Sequence, residues 1–164
     1  MTDSQAFFFD ACRRGHLQQV TEALEQDASL INIIDSKGFS PLIIAVYNEQ
    51  PEVVQYLLQQ GADVNAQDFA GNTALMGVCF KGYKTIAEQL LAAEANVNLT
   101  NANNATALTF AATFGHLAIA EMLLQQGADM HLRDVRGKSP LDHAVIQENE
   151  AMIELLDRHW QQQS

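Results

Sequence analysis

The sequence predicts an all-α solenoid in which five stacked turn-helix-helix units form a single domain over residues 1–164. Three observations predict it. Register marks recur every 33 residues: Asp35, Asp68, Asn101 and Asp134; Ser40, Thr73, Thr106 and Ser139; Leu42, Leu75, Leu108 and Leu141; Leu57, Leu90, Leu123 and Leu156. Each Ser or Thr mark stands directly before an apolar run, where its side chain can cap a helix. Gly61 and Gly127 follow the second apolar stripe, where a left-handed residue ends a helix.

Composition sets the outer bounds. Of 164 residues 48% are hydrophobic and 18% charged, and 9 basic against 20 acidic side chains leave a net charge of −11. That apolar share is too high, and too evenly spread, for a disordered acidic tail. No run approaches the roughly 18 apolar residues of a membrane helix. The opening Met1-Thr2-Asp3-Ser4-Gln5-Ala6-Phe7-Phe8-Phe9-Asp10 has no basic stretch before its short apolar one, so a secretory signal is not expected and the chain reads as cytoplasmic. A molecule this acidic repels nucleic acid and anionic membrane unless it carries a local basic patch. Two cysteines make neither a disulfide scaffold nor a four-thiol metal site.

The units follow in order. The first, about 1–34, acts as an N-terminal cap: Ala11 and Gly15-His16 stand 100 residues before Ala111 and Gly115-His116, three periods plus one. The extra residue falls within Asp27-Ala28-Ser29-Leu30-Ile31-Asn32. The second, 35–67, places Pro41 at the first helical position after Ser40, then carries Leu42-Ile43-Ile44-Ala45-Val46 and Val53-Val54-Gln55-Tyr56-Leu57-Leu58 as its two apolar stretches. The third, 68–100, has Glu94 where its second helix should end in Gly. A side chain at positive φ is strained, so a reshaped turn is expected there. The fourth, 101–133, has Asn104 in place of the turn Gly, a milder change. The fifth, 134–160, repeats the Ser139-Pro140 start and closes with a capping helix from Asn149 to about Trp160, turning Glu154, Asp157 and Arg158 to water.

This unit resembles the ankyrin repeat. Ser40-Pro41-Leu42, Ser139-Pro140-Leu141, Gly115-His116 and the loop Gly61-Ala62-Asp63-Val64-Asn65 carry the resemblance, which covers nearly the whole chain. Segments such as Gly71-Asn72-Thr73-Ala74-Leu75-Met76-Gly77 look closer to bacterial members than to eukaryotic ones. The chain departs from the family at the His after Pro-Leu, where it has Ile43, Met76, Thr109 and Asp142. The hydrogen bonds that this His supplies between neighbouring turns are lost, so the interfaces are expected to rely more on packing.

Residues for catalysis are scarce. His16 and His116 stand in the Gly-His turn, where the family uses the ring to bond neighbouring backbone, and His131 takes the loop place of Asn65 and Asn98. His143 and Asp142 are adjacent on a helix and point apart. No helical His pair, Cys-x-x-Cys, phosphate loop or nucleophile elbow is present. The expectation is a non-enzyme with no cofactor and no metal. Cys12 and Cys79 occupy equivalent places two layers apart, about 20 Å at roughly 10 Å per layer. A disulfide needs Cα atoms within about 7 Å, so both should be free, buried thiols.

The resemblance also implies where binding occurs: a concave face made of fixed turn, helix-end and closing positions. These 26 positions hold seven of the nine basic residues, none of the twenty acids, and five aromatics. The candidate partner-binding residues are Arg13, Arg14, Lys37, Phe39, Tyr47, Phe69, Phe80, Lys81, Phe114, Arg133, Arg136 and Lys138. A basic, aromatic front with an acidic back suits a monomer that binds another protein, one offering carboxylates and apolar side chains, as an inhibitor or adaptor. The competing class is an enzyme accessory, or a small-molecule or nucleic-acid module using the same groove, with phosphate in place of carboxylate. The net charge disfavours nucleic acid.

Overall fold

The computed structural model describes residues 1–163 and shows five helix pairs. These are α1 (Asp3–Arg14) with α2 (Leu17–Gln26), α3 (Pro41–Tyr47) with α4 (Pro51–Gln59), and α5 (Ala74–Lys81) with α6 (Lys84–Ala92). Next come α7 (Ala107–Phe114) with α8 (Leu117–Gln125) and α9 (Pro140–Ile146) with α10 (Glu150–Gln163). The inserted residue of the first unit is absorbed in a 3-10 turn, Ala28–Asn32, capped by Asp27. Among the described residues there is no strand, only one isolated antiparallel bridge between Gln67 and Thr73.

The order of contacts is linear. First helices pack in a row, α1 on α3 on α5 on α7 on α9, and second helices form a parallel row from α2 to α10. Small residues on the first row allow that close approach: Cys12, Ala45, Cys79, Ala111 and Ala112 are fully buried. Leu57, Leu90, Leu123 and Leu156 are likewise at 0% exposure, so the repeated leucine seals one unit against the next. Leu42, Leu75 and Leu108 are buried, whereas Leu141 is only partly so. The last unit has no successor among the described residues to cover it.

The helix starts follow the sequence. Ser40, Thr73, Thr106 and Ser139 accept hydrogen bonds from the backbone N–H of Ile43, Met76, Thr109 and Asp142, and Pro41 and Pro140 open their helices. The Asp or Asn that starts each turn has an equally regular task. Asp35, Asp68, Asn101 and Asp134 each accept, through Oδ1, from two backbone N–H groups of their own turn: Lys37 and Phe39, Ala70 and Asn72, Asn103 and Ala105, Arg136 and Lys138.

Two expectations about the joints need correction. Glu94 does not reshape its turn. It adopts φ 61°, and Ala95 N–H donates to Leu90 C=O at 3.1 Å, as Ala62 N–H donates to Leu57 C=O at 3.0 Å beside Gly61. The turn keeps its repeat geometry and hydrogen bonds, and Glu94 carries the backbone strain of the left-handed region. Glu49 and Glu148 also stand at φ 54°, in the place where Gly15, Gly82 and Gly115 end the other first helices.

Nor do the interfaces lack hydrogen bonds because the usual His is missing. Asn32, Asn65 and Asn98 accept from the N–H of Asp63, Asn96 and Asp129 in the next unit, at 2.8–2.9 Å. Backbone N–H groups of Phe69, Ala102 and Val135 donate to Lys37, Ala70 and Asn103 C=O in the turn before. Gln50 Nε2 and His116 Nε2 donate to Arg13 C=O and Phe80 C=O, from equivalent positions of the second and fourth units. His16 has no earlier unit to reach among the described residues, and its ring meets Gln19 instead.

Candidate functional site

The turns and the ends of α1, α3, α5, α7 and α9 form one face with two open depressions. The first, about 410 Å³, is lined by Arg13, Asp35, Lys37, Phe39, Ile44, Tyr47 and Asn48. The second, about 420 Å³, is lined by Asn101, Asn103, Ala105, Thr109, Phe110, Thr113 and Phe114 from the fourth unit and by Asp134, Val135, Arg136 and His143 from the fifth. Four candidate residues, Arg13, Lys37, Phe39 and Tyr47, meet in the first, and two, Phe114 and Arg136, in the second.

Aromatic contacts run between them. Phe39 and Tyr47 have ring centroids 5.9 Å apart, tilted, and burial pushes the Tyr47 phenol above its ordinary pKa, with the Asp68 charge adding to the effect. The Tyr47 ring lies over α5 where Gly77 has no side chain: a Cβ there would meet Tyr47 Cζ at 3.0 Å. Phe80 and Phe114 meet edge to face at 4.8 Å, and Phe110 stacks on Phe114 at 6.4 Å. Phe69, Phe80 and Phe114 remain 71%, 44% and 46% exposed. Lys81 Nζ sits 6.0 Å from the Phe80 ring centroid.

The cations are less uniform than the sequence suggests. Arg13 and Arg14 both pair with Asp10, at 3.6 and 3.0 Å, across exposed turns of α1. Arg133 Nη1 donates to Gly137 C=O at 2.8 Å and to Asp142 Oδ2 at 3.0 Å, which fastens the last turn to α9. Lys37, Lys81, Arg136 and Lys138 are exposed and make no ion pair within the described residues. Lys138 and Arg14 line neither depression.

Carboxylates also reach this face, contrary to the count by position. Asp35 and Asp134 line the two depressions, and Asp10 stands beside Arg13 and Arg14. Their oxygens are largely spoken for. Asp134 Oδ2 accepts from His143 Nε2 at 2.7 Å while Oδ1 accepts two backbone N–H bonds. Burial raises the Asp134 pKa, but the bonds from Lys138 N–H, the His143 ring and Arg136 N–H, with the His143 charge, outweigh it and hold the carboxyl below its usual range. Asp142 is also held low, first by the Ser139 N–H and, against some burial, by the Ser139 hydroxyl and Arg133.

Phe110, Asp134 and His143 were not among the candidates. Phe110 carried a readable signal, because a residue four before Phe114 on one helix shares its face. The His143–Asp134 bond spans a turn-to-helix step that no local spacing rule reports. His131 takes a different role from the loop one expected: with no sixth unit described, its ring packs on Trp160 at 4.2 Å rather than on loop backbone. Cys12 and Cys79 are free and buried; burial pushes the Cys12 thiol up to about 12 and the Cys79 thiol higher still. Among the described residues no cluster of three or more His, Cys, Asp or Glu is placed to hold a metal, and no helix is long and apolar enough to cross a membrane.

Comparison with known proteins agrees with the geometry. The family model described as ankyrin repeats (3 copies) matches residues 2–68 and 75–162. One curated relative, ankyrin repeat and SAM domain-containing protein 6 of Danio rerio, is 42% identical over 50 residues. That alignment covers 30% of this chain and 7% of the relative, so the chain matches a small part of a much longer protein.

Proposed function

The chain belongs to the ankyrin-repeat family, and from that premise we propose that it is a non-catalytic scaffold whose concave face binds an acidic, partly apolar partner protein. Ankyrin repeats in general serve as protein-interaction modules, which supports the class. The observation that carries the choice of face is the exposed edge-to-face pair Phe80–Phe114, with Phe69 more exposed still. Large rings left in water at the ends of neighbouring helices are a cost to a free monomer and a source of affinity once covered. Lys37, Lys81 and Arg136 surround these rings without internal ion partners, which suits carboxylates on the partner. Exposed Glu52, Glu88, Glu121 and Glu154 put opposite charge on the second-helix row. In this reading the protein acts in the cytoplasm as a monomeric inhibitor or adaptor.

The test is affinity capture from the native organism with three baits: the wild-type chain, Phe80→Ala/Phe114→Ala, and Glu121→Lys/Glu154→Lys. The partner should be retained by the wild-type and outer-helix baits and lost by the Phe double variant, with all three melting alike. Loss with the outer-helix variant alone moves the binding surface to the second-helix row.

A further inference from the structure

The two depressions share six equivalent positions, although the first opens back toward Arg13 of the first unit and the second forward toward Val135 and Arg136 of the fifth. Asp35, Lys37, Phe39, Ile44, Tyr47 and Asn48 of the first correspond, 66 residues on, to Asn101, Asn103, Ala105, Phe110, Thr113 and Phe114 of the second. The chemistry of the two has diverged in opposite senses. The first gathers Lys37, which makes no ion pair among the described residues, and Arg13, which pairs with Asp10, on a rim of Phe39 and Tyr47. Asp35 also lines it, with its Oδ1 held by the N–H groups of Lys37 and Phe39. In the second, Asn103 replaces that Lys, Ala105 and Thr113 replace the two aromatics, and Phe110, Phe114 and Val135 make an apolar wall. Asp134 is occupied by His143 and two backbone N–H groups, so little of its charge is directed at an entering apolar group.

We infer that the concave face is a two-subsite groove for one extended partner segment: the first depression takes a carboxylate side chain, the second an aromatic side chain. This deepens the reading proposed above and rests on it. Charge complementarity assigns the acidic end to Lys37, with Arg13 beside it paired to Asp10, and Arg136 stands ready for a carboxylate beside the aromatic anchor. Phe80 and Phe69, exposed in the unit between, provide an apolar floor for the intervening chain. Lys37 stands in the second unit and Phe114 in the fourth, so two layers at about 10 Å each separate the acidic and aromatic ends by about 20 Å. An extended chain advancing about 3.1–3.4 Å per residue spans that with roughly six residues. The segment recognised therefore carries Asp or Glu at one end and Phe, Tyr or Trp about six residues away.

Fluorescein-labelled peptides Glu-Glu-(Pro)n-Phe and Phe-(Pro)n-Glu-Glu, with n of 3, 6 and 9, test this directly, because the proline spacer is semi-rigid and its length is known. Binding to the full chain is read by polarisation, and by amide shifts in an isotope-labelled sample where affinity is weak. In one of the two chain directions, the n = 6 peptide should bind at least fivefold tighter than n = 3 or n = 9. Arg13→Glu/Lys37→Glu and Phe114→Ala should each abolish that preference, one shifting only the acidic end and the other only the Phe end. Ala105→Phe/Thr113→Tyr, which copies the first depression into the second, should also abolish Phe-end binding, and Phe114→Ala keeps the test intact if that variant misfolds. Binding that ignores spacer length, or no binding of any peptide, overturns the two-subsite groove. Capture of a protein partner that depends on Phe80 and Phe114 can still succeed in either case, so this failure is distinct from failure of the concave-face reading.

Discussion

The rings of Phe80 and Phe114 meet at 4.8 Å and 89°, although they end the first helices of different units. Phe80 occupies the helix-end place that Tyr47 takes one unit earlier, while Phe114 stands one residue later in its own unit, at the place of Lys81. The offset lets one ring present its edge to the other's face, an arrangement that favours both and leaves each about half in water. The same two residues that join units three and four thus form an exposed apolar pair on the open face.

Relief of backbone strain should stabilise the stack. Glu49, Glu94 and Glu148 hold φ of 54–61°, a region where a side-chain-bearing residue loses about 1 kcal/mol or more and glycine does not. Part of that gain is offset by the greater unfolded-state entropy of glycine, leaving about 0.5–1 kcal/mol for each Glu→Gly change. The three turns are separate, so their gains should add. Urea denaturation gives the result: the triple variant should show a raised midpoint, and a lowered midpoint for Glu94→Gly would mean that the side chain holds the turn.

The repeat period, the five helix pairs, the caps and the free buried thiols were legible in the sequence because each rests on a local or periodic signal. Ser40 caps because it stands three residues before Ile43 N–H, and spacing alone reports this. The Glu49 and Glu148 conformations were less visible, since a glutamate at a left-handed position carries no mark of its own; only alignment with Gly82 and Gly115 exposes it. The twelve candidate binding residues came from fixed positions of the repeat, which place a residue on a face but do not name its neighbours. Arg133 sits at such a position yet is bound to Asp142, and Arg13 and Arg14 share Asp10. Phe110 and His143 escaped for the opposite reason, since they line the second depression from helix positions outside that set.

Loss of a loop tie should weaken one joint. Asn98 Nδ2 donates to Gly127 C=O while its Oδ1 accepts from Asp129 N–H, so Asn98→Ala removes both bonds between units three and four. Each net bond is worth about 0.5–1.5 kcal/mol, so a loss of about 1–2 kcal/mol is expected for this exposed loop. Leu123→Ala, which empties a fully buried site, should cost about 2–5 kcal/mol. Thermal melts of both variants check the ranking; Asn98→Ala equal to or worse than Leu123→Ala would contradict it.

Acid should loosen the fifth unit through Asp134. Its pKa is lower in the folded protein than the ordinary 3.8, so the folded state binds fewer protons there than the unfolded chain. The stabilisation is therefore fully present above the unfolded value and disappears as pH falls through the folded one. Asp134→Asn keeps the turn, because Asn101 makes the same two backbone bonds one unit earlier, but removes the charge facing His143. Wild type should be the more stable of the two near neutrality, and the gap should close below about pH 4. A gap unchanged down to pH 2 would show that the charge contributes nothing.

Thiol reactivity should report global opening. Burial raises the Cys12 pKa to about 12 and that of Cys79 further, so few thiolates exist at pH 8 and neither is accessible. Both should label slowly in the native state and at rates that climb with urea as the stack unfolds. Prompt labelling of either in buffer would place that cysteine outside the core.

Amide hydrogen exchange of the chain, alone and bound to its captured partner, tests the central claim most directly. If the concave face is the binding surface, protection on binding should appear in the turns at 36–39, 69–72, 102–105 and 135–138 and at the ends of α3, α5 and α7, with the second-helix row unchanged. Protection confined to α4, α6 and α8, with those turns exchanging as fast as in the free protein, would contradict it.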